Sequence, residues 1–231
     1  MNSGKLRLRF SKTGRAKYIS HLDLMATMRR ALLRAGVKLR YTQGFNPHPV
    51  MSIALPLSVG TESVCELMDF IPLELPLVLE ASCLEGMPVL EDDLPQALNN
   101  FLPEGISVLE AYVSERKFNA IAWIEIAGRL YYETKDSTLV EKLRERFAAE
   151  SIIISKRTKR GETEIDIVPF IRDVAFHDGE TIEMTAKISA QNPSLNPENL
   201  ISALSGIEGL TPDFSAFRRA EVFDADMNIF R

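Results

Sequence analysis

Leu6, Leu8 and Phe10 alternate with Arg7, Arg9 and Ser11, and a few residues later the apolar spacing changes to Leu22, Met25, Leu32 and Ala35. A period of two marks a half-buried strand and a period near 3.6 an amphipathic helix, so the chain must lay a helix back over a sheet. Ser20 and Asp23 have the N-cap to N3 spacing of a capping box, with Asp in place of the usual Glu or Gln. Gly36 stands where a helix over 21–35 needs its left-handed closing residue. Residues 11–15, with Gly14, make a turn, and 16–19 read as a short extended return.

A second alternation, Val37, Leu39 and Tyr41 against Lys38, Arg40 and Thr42, predicts a strand over 37–42 with a basic outer face, like that of the first strand. Pro47 and Pro49 each remove a backbone donor and fix a dihedral, so residues 43–49 should form a rigid, non-regular loop. Strands over 51–55 and 64–71, a short helix over 77–84, a helix capped by Asp92 or Asp93 and running to Phe101, and a strand over 106–113 complete the first half. The order strand, helix, strand, strand, helix, strand is that of a ferredoxin-like sandwich. A second cycle follows: strands over 120–126, 152–156, 162–171 and 181–190, a charged helix over 136–149 and a helix over 198–205. Gly206, Gly209 and Pro212 end that helix and leave a tail. The expectation is α+β, with two tandem ferredoxin-like sandwiches, residues 1–116 and 117–231, each an antiparallel sheet with helices on one face.

Charge is segregated along the chain. Residues 1–50 hold eleven Lys or Arg and one acid, Asp23, whereas residues 51–115 hold twelve acids and no Lys or Arg, in a protein of net charge -5. A positive field confined to one end points to an anionic partner bound in a salt-dependent way, not to indiscriminate coating of nucleic acid. The simpler reading is that the basic strand faces are solvated or meet the acids of the next segment. A second basic group, Lys156, Arg157, Lys159 and Arg160, sits at an expected hairpin. Cys65 and Cys83 are isolated thiols, which argues against a disulfide framework, a cysteine zinc site or an iron–sulfur cluster and for buried packing residues. No apolar run approaches a membrane span, and the start of the chain lacks a secretory core, which places the protein in the cytoplasm.

Tyr18-Ile19-Ser20-His21-Leu22-Asp23-Leu24, the Arg29-Arg30-Ala31 to Arg34-Ala35-Gly36 stretch, Gly44-Phe45-Asn46-Pro47-His48-Pro49, and Ala54-Leu55-Pro56-Leu57 with Gly60 and Glu62 carry a resemblance. The chain resembles the bacterial radical-SAM-associated proteins of unknown function, which occur alone and as C-terminal regions of larger radical SAM proteins with a cobalamin-binding-type domain. The resemblance implies a partner of a radical SAM enzyme that binds or positions substrate. It implies no reaction in this chain, which lacks the cysteine trio that ligates a radical SAM cluster and calls for no cofactor of its own.

His21 at the first helical turn and His48 in the proline-bounded loop would face one end of the sheet if the strand over 37–42 ran beside that over 5–10. Tyr18, His21, Asp23, Gln43, Asn46 and His48 would then form a polar pocket edged by Arg15, Lys17 and Arg40. Arg30 and Arg34 supply a cationic helix face, Phe45 a surface on which a base could stack, and the helix start free backbone donors for phosphate. The alternative is a structural network in which Asn46 and His48 tie the loop to the helix cap. Metal binding through His21, Asp23 and His48 has a weak spacing signal, so no metal site is assigned. The resulting expectation is an accessory or substrate-binding component of a radical SAM system, holding RNA or another phosphorylated ligand. The alternative is a metal-independent endoribonuclease with His21 and His48 as acid and base, assisted by Tyr18. A basic face that meets an acidic protein partner is a third possibility.

Overall fold

Alternation along the first strand buries Leu6, Leu8 and Phe10 against the first helix, and the rest of the N-terminal half assembles around that contact. The computed structural model describes residues 4–74, 77–78, 88–89, 93–158 and 161–231. It is a mixed α+β fold that divides after Phe118 into two compact units, with Arg231 belonging to the first.

The first unit contains β1 (Leu6–Lys12), a 3-10 turn (Gly14–Tyr18), α1 (His21–Arg34), β2 (Met51–Ile53), β3 (Glu62–Phe70), β4 (Leu77–Val78), β5 (Pro88–Val89), α2 (Leu94–Asn99) and β6 (Ile106–Val113). β1 lies between β3 and β6, β2 pairs with the far side of β3, and all three pairings are antiparallel. Leu24, Met28 and Leu32 of α1 and Leu94 and Leu98 of α2 share one core with Leu6, Leu8, Phe10, Met68 and Phe70. α1 begins as its sequence predicts: the Ser20 hydroxyl accepts the Asp23 N–H and donates to the Asp23 carboxylate at 2.7 Å. Gly36 closes it with φ +83°.

Two local expectations fail. Residues 14–18 form a 3-10 turn, not an extended return, and Lys12 holds its end by donating to the carbonyls of Lys17 and Ile19 at 3.2 and 2.8 Å. Residues 37–42 form no regular strand. They make isolated bridges, Leu39 to Pro72 and Tyr41 to Pro49, because proline partners have no N–H to continue a ladder. For the expected helix over 77–84, Leu77 and Val78 are strand, and the remainder lies outside the described residues, as do Cys83, Lys159 and Arg160.

The basic outer face expected of β1 is also corrected. Arg7 is fully buried, its Nε and Nη2 on the Asp69 carboxylate at 2.7 and 3.1 Å, its Nη2 also on the Arg116 carbonyl at 2.6 Å, and its guanidinium 4.4 Å over the Phe118 ring. Arg9 meets Glu110 at 2.8 Å, Lys5 meets Asp69 at 3.6 Å, and buried Lys12 faces the charge of Glu66. Burial pulls the Lys12 ammonium below its usual range, and Glu66 offsets part of that effect. The acidic middle segment therefore neutralises the strand cations.

The second unit contains β7 (Trp123–Tyr131), α3 (Leu139–Phe147), β8 (Ile153–Thr158), β9 (Gly161–Asp166), β10 (Ile171–His177), β11 (Ile182–Ser189), α4 (Glu198–Ser202) and β12 (Phe214–Phe223). β7 sits between β11 and β12, β10 borders β11, and β8 and β9 form a separate hairpin. The expected strand over 162–171 is two strands, β9 and β10, split by a 3-10 turn at Val168–Phe170. The expected tail is β12, which pairs with β7 from Phe214–Tyr131 to Phe223–Trp123. Among the described residues no helix is long and apolar enough to cross a membrane.

Candidate functional site

Residues 41–49 leave the sheet edge as a short hairpin. Residues 38–40 pair with the end of β3, the Arg40 N–H donating to Ile71 and the Leu73 N–H to Lys38. The chain then turns outward and returns, with Thr42 N–H on the His48 carbonyl, Val50 N–H on Arg40 and Ile71 N–H on Val50. The His48 N–H donates to the Thr42 hydroxyl at 3.1 Å, while His48 Nδ1 lies 3.2 Å from that hydroxyl and 3.3 Å from the Asn46 carbonyl. Gly44 has φ +147° in open surroundings, so what calls for glycine there is the backbone conformation and not space. With Pro47 and Pro49 fixing two more dihedrals, the hairpin holds Phe45 fully exposed.

A cavity of about 200 Å³ lies at the foot of this hairpin. Lys5, Thr42, His48, Ser52 and Asp69 give it polar groups, and Pro49, Val50 and Ile71 give it apolar walls. Leu39, Met51, Ile53, Met68 and Phe70 face the helix-covered core, so exposed Lys38 and Arg40 and, by strand alternation, Ser52 and Asp69 lie on the opposite side, where Ser52 and Asp69 line the cavity.

Register separates the residues that the sequence suggests as one pocket. Lys12 is opposite Ser63 and Leu6 opposite Phe70, six residues apart along β1 and therefore about 20 Å. The Lys12 end holds the helix start: the Gly60 N–H donates to the Lys17 carbonyl, Lys17 lies 4.0 Å from Glu62, and Lys17 Nζ is 5.4 Å from the Tyr18 ring. Exposed Arg15, Tyr18 and Asp23 and half-buried His21 belong to that end. The Phe70 end holds the hairpin, with Gln43, Phe45, Asn46 and His48 exposed. Arg30, which donates to Thr27 at 3.1 Å, and Arg34 lie on the half of α1 that descends to this second end.

The expected pocket joining His21 to His48 does not form, because residues 37–42 pair only as far as Arg40 and leave the sheet where α1 ended, instead of climbing beside β1. Nor does His48 tie the loop to the helix cap; it ties the loop to itself through Thr42. The structure brings together four residues the sequence reading missed, namely Lys5, Thr42, Ser52 and Asp69. Ser52 was visible as the polar residue between Met51 and Ile53, but Lys5 and Asp69 meet it only through strand register. Among the described residues no group of three or more His, Cys, Asp or Glu could hold a metal ion.

A family model described as an uncharacterized protein conserved in bacteria, DUF2344, matches residues 5–197, which span both units and include the whole hairpin. The chain belongs to this family. No curated protein matches this DUF2344 member. A solved structure similar to it, described as an unknown protein from Galdieria sulphuraria, is 12% identical, with 87% of this chain and 90% of that chain covered at a TM-score of 0.23. A likeness that low carries no argument about the fold.

Proposed function

We propose that this DUF2344 protein is a binding component that works beside a radical SAM enzyme and holds RNA or another phosphorylated ligand on the corner of its first unit built from the 41–49 hairpin, β2 and the C-terminal half of α1. We read the strand order of each unit, β2-β3-β1-β6 and β10-β11-β7-β12, as ferredoxin-like, with β8 and β9 inserted in the second. The observation that carries the binding reading is the run from Asp23 to Glu62, which holds Arg29, Arg30, Arg34, Lys38 and Arg40 and no acid between those two. All five are exposed, and Arg29, Arg30, Arg34 and Arg40 enter no ion pair among the described residues. This contrasts with β1, whose cations are matched by acids. Exposed guanidinium groups without carboxylate partners are suited to phosphate, and the exposed Phe45 offers a stacking face. The radical SAM partner rests on the sequence resemblance alone.

A ribonuclease built on His21 and His48 is disfavoured by the register, since an acid and a base must both reach one phosphate. The test is RNA binding by the intact protein across a salt series, with and without the double substitution Arg34→Gln, Arg40→Gln. Wild type should bind with log K falling linearly in log salt, and the variant should lose affinity and about one to two units of slope. Wild type that fails to bind at low salt, or a variant with an unchanged slope, would sink the reading. Co-purification of the radical SAM enzyme from the native host tests the partner separately.

A further inference from the structure

We infer that the cavity at the foot of the 41–49 hairpin receives one unpaired nucleobase, so that the ligand of this corner is single-stranded RNA read in part through a base. The inference rests on the phosphate-binding reading above and names its ligand class.

Size comes first. At about 200 Å³ the cavity is smaller than the roughly 300–1,000 Å³ of sites that enclose drug-sized ligands. It has room for one ring system and not for a whole nucleotide, so the sugar and phosphate would stay outside. Wall chemistry comes second. Pro49, Val50 and Ile71 suit the faces of a flat ring and would strip water from a bare phosphate at a cost. Asp69, already shared by Arg7 and Lys5, would repel a phosphate further but can still accept from a base amino group.

The polar groups match the edge of a base, which mixes donors and acceptors. Lys5 offers a donor, and Thr42 and Ser52 offer hydroxyls that serve as either. His48 Nδ1 is occupied by Thr42 and the Asn46 carbonyl. Because that carbonyl only accepts, Nδ1 carries the hydrogen when it makes this bond, and Nε2 is left as the ring's acceptor. A base seated here would leave its backbone beside Arg40 and Lys38, which lie on the same side of the sheet. A neighbouring base would be within reach of Phe45 at the hairpin tip. Recognition of splayed bases by their edges, with stacking and cationic contacts alongside, is how proteins read unpaired RNA.

The probe is a mixed-sequence single-stranded RNA of about twelve nucleotides, within the range of single-strand sites, compared with the same ribose-phosphate chain lacking bases. Wild type should prefer the base-bearing strand by at least about fivefold. Ser52→Phe, which fills the cavity from an exposed strand position, should erase that preference and leave the salt slope intact. Equal binding of the two strands by wild type, or a preference that survives Ser52→Phe, overturns the inference. Titration of wild type with uncharged nucleosides, followed by the side-chain NMR signals of Val50 and Ile71, needs no variant. Saturable shifts confined to these residues support the pocket, and unmoved signals overturn it. Loss of all RNA binding together with positive nucleoside shifts would defeat the phosphate-binding reading and leave the pocket standing.

Discussion

Arg7 shows how one position in a sequence that looks solvent-facing becomes part of the interior. Its charge is compensated by Asp69, 62 positions away, and the remaining hydrogen-bonding capacity goes in part to the Arg116 carbonyl, so the group is buried but not alone. Removing one member of such a pair strands the other charge and costs about 3–5 kcal/mol, whereas replacing both with apolar groups can be nearly neutral. Arg7→Met should therefore lower stability to urea by about that amount, and Arg7→Met, Asp69→Leu should recover most of it. A small loss from Arg7→Met, with no recovery in the double variant, would show that the pair is not the stabilising contact. Arg40, only two residues beyond an exposed lysine, has the opposite fate: it is exposed and enters no ion pair among the described residues. The difference between these two arginines was not legible in the alternating patterns that carry them, which are nearly the same.

Among the elements, α1 was the most legible. A capping hydroxyl, an Asp three residues later, helical apolar spacing and a closing glycine all act within one turn of themselves, so local chemistry sufficed. The proline constraints on the hairpin at 41–49 were legible, but its internal lock was not: the Thr42 hydroxyl takes the His48 N–H across six residues. Thr42→Val keeps the shape and removes that acceptor. It should speed amide hydrogen exchange over residues 43–48 and weaken RNA binding while global stability changes by less than about 1 kcal/mol; unchanged exchange would mean that the prolines alone hold the loop.

β12 was missed because Gly206, Gly209 and Pro212 obscure its approach and because its partner, β7, lies far back in the chain. The start of β12 is tied to β7 by Tyr132, whose hydroxyl donates to the Leu210 carbonyl at 2.8 Å, and by Asp213, which accepts the Glu133 N–H at 2.7 Å. Burial first, and the Asp213 charge second, push the Tyr132 phenol up to about 12 from its usual 10.0. In that window the unfolded chain has lost a proton that the folded chain keeps, so stability is full below pH 10 and falls as pH rises toward 12. Tyr132→Phe should flatten this part of the stability profile, and an equal alkaline loss in the variant would contradict the assignment.

For the molecule as a whole, net charge and local field point in different directions. A chain of net charge -5 gives polyanions little reason to adhere everywhere, yet α1 and the segment after it carry exposed Arg29, Arg30, Arg34 and Arg40, which enter no ion pair among the described residues. The expected behaviour is binding that is steep in salt but confined to the first unit, with Arg34→Gln, Arg40→Gln reducing it and substitutions at the surface cations Lys142 or Arg144 of α3 leaving it unchanged. Those two already meet Asp136 and Glu141 at 2.7 and 3.5 Å. Equal losses from both sets would mean that the charge of the whole molecule, and not this corner, governs association.

By itself the sequence determined the alternation of β1, the ends of α1, the proline constraints in the Pro-His-Pro turn and the segregation of charge, because these depend on residues within a few positions of each other. The tertiary structure alone decided which cations stay exposed, that His21 and His48 belong to opposite ends of the first unit's sheet, and that Lys5, Ser52 and His48 border one cavity. The physical reason is antiparallel register. It matches Arg7 to Asp69 and Arg9 to Glu110 from distant segments, and a shift of one residue along β3 would exchange the apolar side chains under the helices with the charged ones on the opposite face.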